Sequence, residues 1–227
     1  MLKNQINAQD KRKSVQNDYD TVAEDYAVDF GTELEDTDIL DEFLVRLKPN
    51  SKILDCGGGT GKLTDFLIKH GHQAICYDFS KSMMKKAKEL FPKIPYILDD
   101  IVSMKKHFQN GSFDGIAAFY SLFHIPKEEI DTVFASISDL LTDDGLFVFV
   151  TQLGNGEDWI DEPYLKEKGK KVLYVNWLTK PQVCSLLEKN HFKIVCATEK
   201  NEIATNELGQ NDQNNKFCVV AQKHSSE

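Results

Sequence analysis

Ile53-Leu54-Asp55-Cys56-Gly57-Gly58-Gly59-Thr60-Gly61 reads as the end of a buried strand, a glycine turn and the opening of a helix. Glycine permits positive φ and lets a ligand approach the bare backbone. Three nucleotide-site patterns compete for such a turn, and spacing separates them. A P-loop requires G-x-x-x-x-G-K-[ST]. Gly61-Lys62 supplies the G-K, but Cys56 occupies the first glycine position and Leu63 follows the lysine. A dinucleotide fingerprint requires G-x-G-x-x-G, and counting from Gly57 and Gly59 its last position holds Lys62. What remains is D-x-G-x-G-x-G, formed by Asp55, Gly57, Gly59 and Gly61.

On both sides of this turn, short β-like runs alternate with helical ones. Strands are expected over 52–56, 74–79, 96–98, 115–121 and 146–151, with helices over 62–70, 81–91 and 127–141 between them. Strand, helix, strand, repeated, is the signature of parallel βαβ units with right-handed crossovers. A helix over 180–190 and strands over 192–198 and 217–222 follow, joined by a polar, Asn-rich stretch at 199–216 that reads as a mobile hairpin connection. The expected fold is α/β: a Rossmann-like, doubly wound sheet of about seven strands. It is mostly parallel, with an antiparallel carboxyl-terminal strand and helices on both faces. In such sheets ligands sit beyond the carboxyl ends of the strands, which gathers the loops after Asp55, Asp78, Leu98 and Phe119 around one crevice.

Upstream, residues 1–14 lack periodic apolar side chains and read as a flexible arm. From Val15 the pattern changes: Tyr19, Val22, Ala23, Tyr26 and Phe30 recur at helical spacing until Gly31. A second amphipathic stretch over 34–47 places Ile39, Leu40, Phe43, Leu44 and Leu47 on one side and a run of carboxylates on the other.

The 227 residues suffice for one sizeable α/β domain, at an ordinary 41% hydrophobic and 28% charged composition. No apolar run approaches the roughly 20 residues of a bilayer span, so no membrane partner is expected. The first residues are polar and basic, unlike a secretory signal, and the odd count of 5 cysteines contains no C-x-x-C pair. A reducing cytoplasm is the expected location. A net charge of −9 repels polyphosphate, so nucleic acid is a disfavoured partner. The basic run Lys166–Lys171 reads as a solvated loop. No His, Cys or carboxylate spacing suggests a metal.

The D-x-G-x-G-x-G run resembles the first motif of the class I S-adenosylmethionine-dependent methyltransferases, and its companions extend the resemblance through residues 51–151. Asp78-Phe79-Ser80-Lys81-Ser82-Met83 is similar to the family's D-x-S-x-x-M. The resemblance implies that Asp78 accepts from the ribose hydroxyls, with Phe79 beside it, and that Met83 packs on the adenine. Leu98-Asp99-Asp100-Ile101 resembles the acid and apolar pair at the adenine edge, with Asp100 aligned and Asp99 leaving a one-residue ambiguity. Phe113 to His124 looks like the family's F-D strand, ending in Phe119, and its following L-H-H segment, with Phe123 in place of the first His. Leu141-Thr142-Asp143-Asp144-Gly145 resembles the L-x-P-G-G turn without its Pro.

The resemblance implies a single methyltransferase domain over 15–227: a helical lid at 15–48, a cofactor-binding core at 51–151, a substrate-shaping insert at 152–179, and a final helix and strands at 180–227. S-adenosylmethionine is the implied cofactor. Asp55, Gly57, Gly59, Gly61, Asp78, Phe79, Met83, Asp100, Ile101, Phe119 and Tyr26 are the implied binding residues. Tyr19-Asp20-Thr21-Val22-Ala23-Glu24-Asp25-Tyr26 is similar to the Y-D-x-x-A-x-x-Y entrance helix of small-molecule members, where an aromatic meets the sulfonium. The alternative is that both tyrosines pack with wet hydroxyls. Tyr19, Tyr164 and Trp177 are candidate substrate contacts, Trp159 and Tyr174 joining the last two in an aromatic lining. His124 is the candidate proton acceptor, or else a structural or substrate-bonding histidine.

The segment Phe119-Tyr120-Ser121-Leu122 lacks the Pro-Pro-aromatic signature of amino-group methyltransferases acting on DNA or protein glutamine. Together with the charge, it implies a small-molecule acceptor for a monomer or homodimer. Protein methylation, or cofactor binding without catalysis, are the alternatives.

Overall fold

Alternation of side chains along the strands builds a sheet with two apolar faces. The computed structural model describes residues 6–161, 173–205 and 211–224, with side chains at 202–205 and 211–214 excluded. In β5 (Leu141–Gln152), Phe147 and Phe149 point into one core while Leu146, Val148 and Val150 point into the other. β9 (Asn211–Lys223) alternates the same way, with Val219 and Ala221 on the first side and Cys218 and Val220 on the second. Burial on both faces accounts for the near-continuous apolar runs.

Helices α5 (Ile130–Leu140) and α6 (Lys180–Lys189) cover the first face through Val133, Phe134, Ile137, Val183 and Leu187. Helices α2 (Thr37–Leu44) and α3 (Lys62–Lys69) cover the second through Ile39, Leu40, Phe43, Leu63 and Leu67. Thr179 and Gln182 form a reciprocal capping box at the start of α6, where Pro181 fits a first turn that needs no N–H.

The remaining strands are β1 (Lys52–Cys56), β2 (Gln73–Asp78), β3 (Tyr96–Leu98), β4 (Phe113–Phe119) and β8 (Phe192–Thr205). The sheet has 7 strands in the order β3-β2-β1-β4-β5-β9-β8. Pairings β1 to β2, β1 to β4, β2 to β3 and β4 to β5 are parallel, and β9 runs antiparallel to both its neighbours. This is the doubly wound sheet expected, with its direction reversed at the carboxyl-terminal strand. The order turns back between β1 and β4, which opens the switch-point crevice beyond their carboxyl ends.

Four boundaries differ from the sequence expectation. Helix α1 spans Ala8–Phe30, so the arm expected over 1–14 is helical from residue 8. Asn7 caps it by accepting from the Asp10 N–H at 2.9 Å, and ion pairs rather than an apolar stripe hold its first turns. Helix α2 is shorter than 34–47 because Asp36 adopts a left-handed conformation at φ 53°. The stretch 199–216, expected as a loose connection, is strand where it is described: β8 and β9 continue as a ladder from Glu199 opposite Phe217 to Thr205 opposite Asn211, and residues 206–210 lie outside the described residues. Last, the insert holds an antiparallel ribbon of β6 (Gly156–Ile160) and β7 (Leu173–Trp177). Val15 and Val22 of α1 pack on its Leu173 and Tyr174.

α4 (Lys81–Leu90) follows β2 and runs beside α1. Among the described residues no helix is long and apolar enough to cross a membrane.

Phe43 is fully buried and seats α2 on the sheet at Gly115, where an added Cβ would lie 2.6 Å from the Phe43 ring. Phe43→Ala is expected to cost about 3–5 kcal/mol of stability, the range for truncating a core aromatic. Urea denaturation reads the loss directly. A loss under about 1 kcal/mol would mean that α2 does not seal this face.

Candidate functional site

The carboxyl ends of β1, β2 and β4 open into a cleft of about 740 Å³, counted to its mouth. Gly57 and Gly61 shape its floor. Both have positive φ, 73° and 80°, and an added Cβ would meet Ser121 at 2.3 Å and Ile94 at 2.5 Å respectively. Backbone conformation and space thus each demand glycine.

Asp78 closes the turn from the other side. Its Oδ2 accepts from the Gly59 N–H at 3.0 Å and its Oδ1 from the Ser80 N–H at 2.8 Å, so one carboxylate ties the two loops together. Burial, opposed by these donors, pushes its pKa up to about 6. Ser80 caps α4 by accepting from the Met83 N–H at 3.1 Å, which sets Met83 one turn inside the cleft.

Asp55 belongs to the layer beneath. It is 1% exposed, accepts from the Thr64 hydroxyl at 2.7 Å and does not line the cleft. It anchors the first turn of α3 under the glycine loop. Burial pushes its pKa up to about 7, with the Thr64 hydrogen bond opposing and the Asp78 charge adding to the rise.

At the adenine edge of the resemblance, Asp99 and Asp100 both line the cleft, and each holds a basic partner. His107 Nε2 lies 2.7 Å from Asp99, and Arg12 of α1 pairs with Asp100 while its Nε donates to Glu129 at 2.7 Å. Lys11 pairs with Glu157 at 2.7 Å and Glu128 at 3.1 Å. Farther along α1, Gln16 donates to the Phe79 carbonyl at 2.5 Å, and Asp20 accepts from the Ser80 hydroxyl and the Ser82 N–H. α1 is therefore fastened across the cleft by polar contacts from residues 11 to 20.

Aromatic side chains line the far end: Tyr19 and Tyr26 from α1, Phe119 at the end of β4, and Tyr120 after it. Tyr26 is held as a phenol, pushed up to about 12 by burial and by Glu35 and Asp78. Tyr120 takes φ 57°, unusual for a side chain of its size, and its hydroxyl donates to Asp36, which Lys200 holds at 2.8 Å. His124 ends the 3₁₀ turn after β4 and is 6% exposed. Its Nδ1 lies 2.9 Å from the Tyr174 carbonyl and its Nε2 lies 2.9 Å from the Tyr19 hydroxyl. Burial pushes its pKa down to about 4.

Of the residues singled out in the sequence, Gly57, Gly59, Asp78, Phe79, Met83, Asp100, Ile101, Phe119, Tyr19, Tyr26 and His124 all line this cleft. Asp55 and Gly61 lie below it, as structural supports of the turn. Trp177 is off the cleft, packed under Gly154, where an added Cβ would lie 2.7 Å from its own. Tyr164 lies outside the described residues. The expected aromatic lining from the insert does not form from Trp159 and Tyr174 either, because they pack on each other at 5.4 Å. The insert reaches the site through a backbone carbonyl instead. Arg12, Tyr77, Tyr120, Ser121 and Ile125 line the cleft without having been singled out. All but Arg12 adjoin quoted motif positions, which was the available signal. Among the described residues no group of three or more His, Cys, Asp or Glu is placed to hold a metal ion.

Three comparisons bear on this geometry. Residues 53–145 match the family model described as a methyltransferase domain. A Bacillus mycoides (strain KBAB4) protein, named as an uncharacterized methyltransferase, is 30% identical over 165 residues, covering 69% of this chain and 76% of its own. A Burkholderia thailandensis 1,6-didemethyltoxoflavin-N1-methyltransferase, solved with 1,6-didemethyltoxoflavin and S-adenosylhomocysteine bound, superposes with a TM-score of 0.71. It is 17% identical, with 96% of this chain and 91% of that one covered. A Methanosarcina mazei protein described among S-adenosylmethionine-dependent methyltransferases has a TM-score of 0.69 at 18% identity, covering 86% of this chain and 100% of its own.

The two raised carboxyls set the expected pH dependence of stability. An acid whose folded pKa exceeds its unfolded value of 3.8 favours the folded state most at low pH. That advantage is lost as pH rises from about 4 toward about 7, because the unfolded chain ionises while the folded one holds its proton. For Asp55 the decline is on the order of 2–4 kcal/mol. Asp55→Asn is expected to flatten it in urea titrations between pH 4.5 and 7.5. Parallel curves for the variant and the parent would show that Asp55 is already ionised in the folded protein.

Proposed function

The chain belongs to the class I S-adenosylmethionine-dependent methyltransferases, and from that premise we propose that its acceptor is a small molecule taken into the aromatic end of the cleft. S-adenosylmethionine supplies a methyl group on a sulfonium, whose sulfur leaves as a neutral thioether. The observation that carries the reading is the enclosure of the acceptor end. Tyr19 and Tyr26 of α1 line it together with Phe119, Tyr120 and His124, and the Tyr19 hydroxyl meets His124 Nε2 at 2.9 Å. A covered aromatic pocket fits a compact acceptor and leaves little room for a macromolecular chain.

The residues present fit the cofactor. Asp78 stands in the cleft at the end of β2, placed to accept from a ribose diol. Met83, Phe79 and Ile101 offer apolar surfaces for an adenine ring, with Asp100, next to Asp99, at its edge. Gly57 and Gly59 present bare backbone to the aminoacid portion. Tyr26, Tyr19 and Phe119 place ring faces at the sulfonium end, where an aromatic quadrupole favours positive charge. The residues at 15–48 act as the lid and those at 152–179 as the insert that shapes the acceptor end.

The chain's own catalytic work is positioning and exclusion of water, since the leaving group needs no assistance. Neutral His124 is the proton acceptor within reach. The Burkholderia thailandensis protein, with 1,6-didemethyltoxoflavin bound, is an instance of this fold serving a small acceptor. The net charge of −9 also disfavours nucleic acid.

Asp78→Ala is expected to weaken S-adenosylhomocysteine binding by ~1–3 kcal/mol, or ~5- to 150-fold, the range for hydrogen bonds to a charged group. Calorimetry measures it, and unchanged affinity would remove Asp78 from the ribose site. Labelled methyl offered to a metabolite extract and to a protein fraction should appear in the former. Label in protein alone would overturn the small-molecule reading, and label in neither would favour cofactor binding without catalysis.

A further inference from the structure

Resting on that reading, we infer that Tyr19 and His124 form a proton relay, and that the acceptor is a planar molecule bearing an acidic O–H or ring N–H. The hydrogen positions follow from the partners. A backbone carbonyl only accepts, so the Tyr174 oxygen, 2.9 Å from Nδ1, requires the His124 proton on that nitrogen. In a neutral imidazole Nε2 is then the acceptor, and the Tyr19 hydroxyl, 2.9 Å away, donates to it. Both residues line the cleft, with the rings edge-on at 5.4 Å. Hydrogen-bond donation therefore runs inward from the cleft: the phenol donates to the imidazole, and the imidazole to the β7 carbonyl.

The surroundings keep the imidazole neutral at rest. From α1, Tyr19 faces it with a hydroxyl, and from β7 the Tyr174 carbonyl faces it. Lys11 of α1 and Glu157 of β6, the charged groups beside the Tyr174 ring, pair with each other at 2.7 Å. At neutral pH such a histidine takes a proton only when one is delivered, and the carbonyl on Nδ1 then steadies the imidazolium.

The step balances as follows. The acceptor's oxygen or nitrogen forms a bond to the methyl carbon as the carbon–sulfur bond breaks, its electron pair remaining on sulfur. The acceptor's proton passes to the Tyr19 oxygen while the Tyr19 proton passes to Nε2 of His124. One positive charge thus moves from the sulfonium to the imidazolium, and the proton later leaves to solvent.

This arrangement selects the acceptor. A base as weak as His124 does not ionise a simple alcohol before attack. A phenol, an enol or a heteroaromatic N–H has a stabilised conjugate base and shares its proton readily with a phenol oxygen. An alkylammonium would want an unpaired carboxylate beside it. The carboxylates around this end are all engaged: Asp36 by Tyr120 and Lys200, Glu35 by Tyr120 at 3.3 Å and Lys216 at 3.6 Å, and Asp78 by the Gly59 and Ser80 N–H groups. Phe119, Tyr26 and Tyr120 supply the flat walls that a ring requires.

Nitrogen-15 histidine NMR of the full-length protein with S-adenosylhomocysteine tests the relay without turnover. His124 is expected as the Nδ1–H tautomer, titrating at least one unit below free histidine. Tyr19→Phe should keep that tautomer and shift only the Nε2 resonance, as should Tyr19→Leu if Phe perturbs packing. An Nε2–H tautomer, or an Nε2 resonance indifferent to both substitutions, would overturn the relay. Adding 4-nitrophenol should move the Nε2 resonance and adding benzylamine should not. The reverse, or no response to the phenol, would overturn the acceptor class. Label transfer to protein alone, with the tautomer as expected, would instead sink the small-molecule reading and leave the relay geometry standing.

Discussion

The Asp78 carboxylate accepts one N–H from the glycine turn and one from the start of α4. Those turns come from different βα units. The Gly57 and Gly58 N–H groups donate to the Tyr77 carbonyl at the end of β2, and the Asp78 carboxylate carries the tie one step further, to Gly59 and to the loop that starts α4. Both donors are backbone groups at the rim of the sheet, so satisfying them costs Asp78 none of its position facing the cleft. Asp55 performs the matching task one layer down, joining β1 to α3 through Thr64. The floor is thus set by two acids, one buried for structure and one left at the surface of the cleft. Burial raises the pKa of both, and each raises that of the other or is raised by it, which is the energetic cost of crowding two carboxyls under one loop.

Most of this was legible in the sequence because a doubly wound sheet follows from alternation of short apolar runs with amphipathic ones. The antiparallel carboxyl-terminal strand and the switch-point location of the cleft were expected from that pattern and from glycine spacing, whereas the strand order came from the structure. Eight of the eleven singled-out residues that line the cleft occupy strand ends or the turns just after them, which converge, while Tyr19, Tyr26 and Met83 reach it from helices α1 and α4. Asp55 and Gly61 show the limit. A motif gives spacing along the chain but not the side of the turn on which a side chain falls. The strand period sends Asp55 below the loop and Asp78 beside it, although both follow apolar runs and precede helices.

What was not legible depends on contacts between polar residues distant in sequence. The first turns of α1 carry no apolar stripe, yet Lys11 and Arg12 are largely buried and paired with Glu157, Glu128, Glu129 and Asp100, acids from three separate places in the fold. Periodicity detects helices that bury an oily face. It is blind to one held by ion pairs. The extension of the β8–β9 ladder beyond Glu199 was missed similarly, because its sequence is polar and carries no hydrophobic alternation. The aromatic residues of the insert misled in the opposite sense. Trp159 and Tyr174 pack on each other, and among the described residues the insert meets His124 through a main-chain carbonyl, which every residue carries and no composition can reveal.

The electrostatic state of the cleft follows from these contacts taken together. Arg12 pairs with Asp100 and Lys200 with Asp36. Burial keeps His124 neutral, whereas Asp78, raised only to about 6, remains an ionised carboxylate at neutral pH. The aromatic end therefore presents ring faces and a neutral imidazole. In the proposed complex a sulfonium held there is faced by ring quadrupoles rather than by fixed positive charge. Neutralising that charge by methyl transfer is then favoured by the same dryness that kept the histidine unprotonated. Burial thus acts on the donor, on the acceptor's proton and on the fold at once, and weakening the lid would weaken all three.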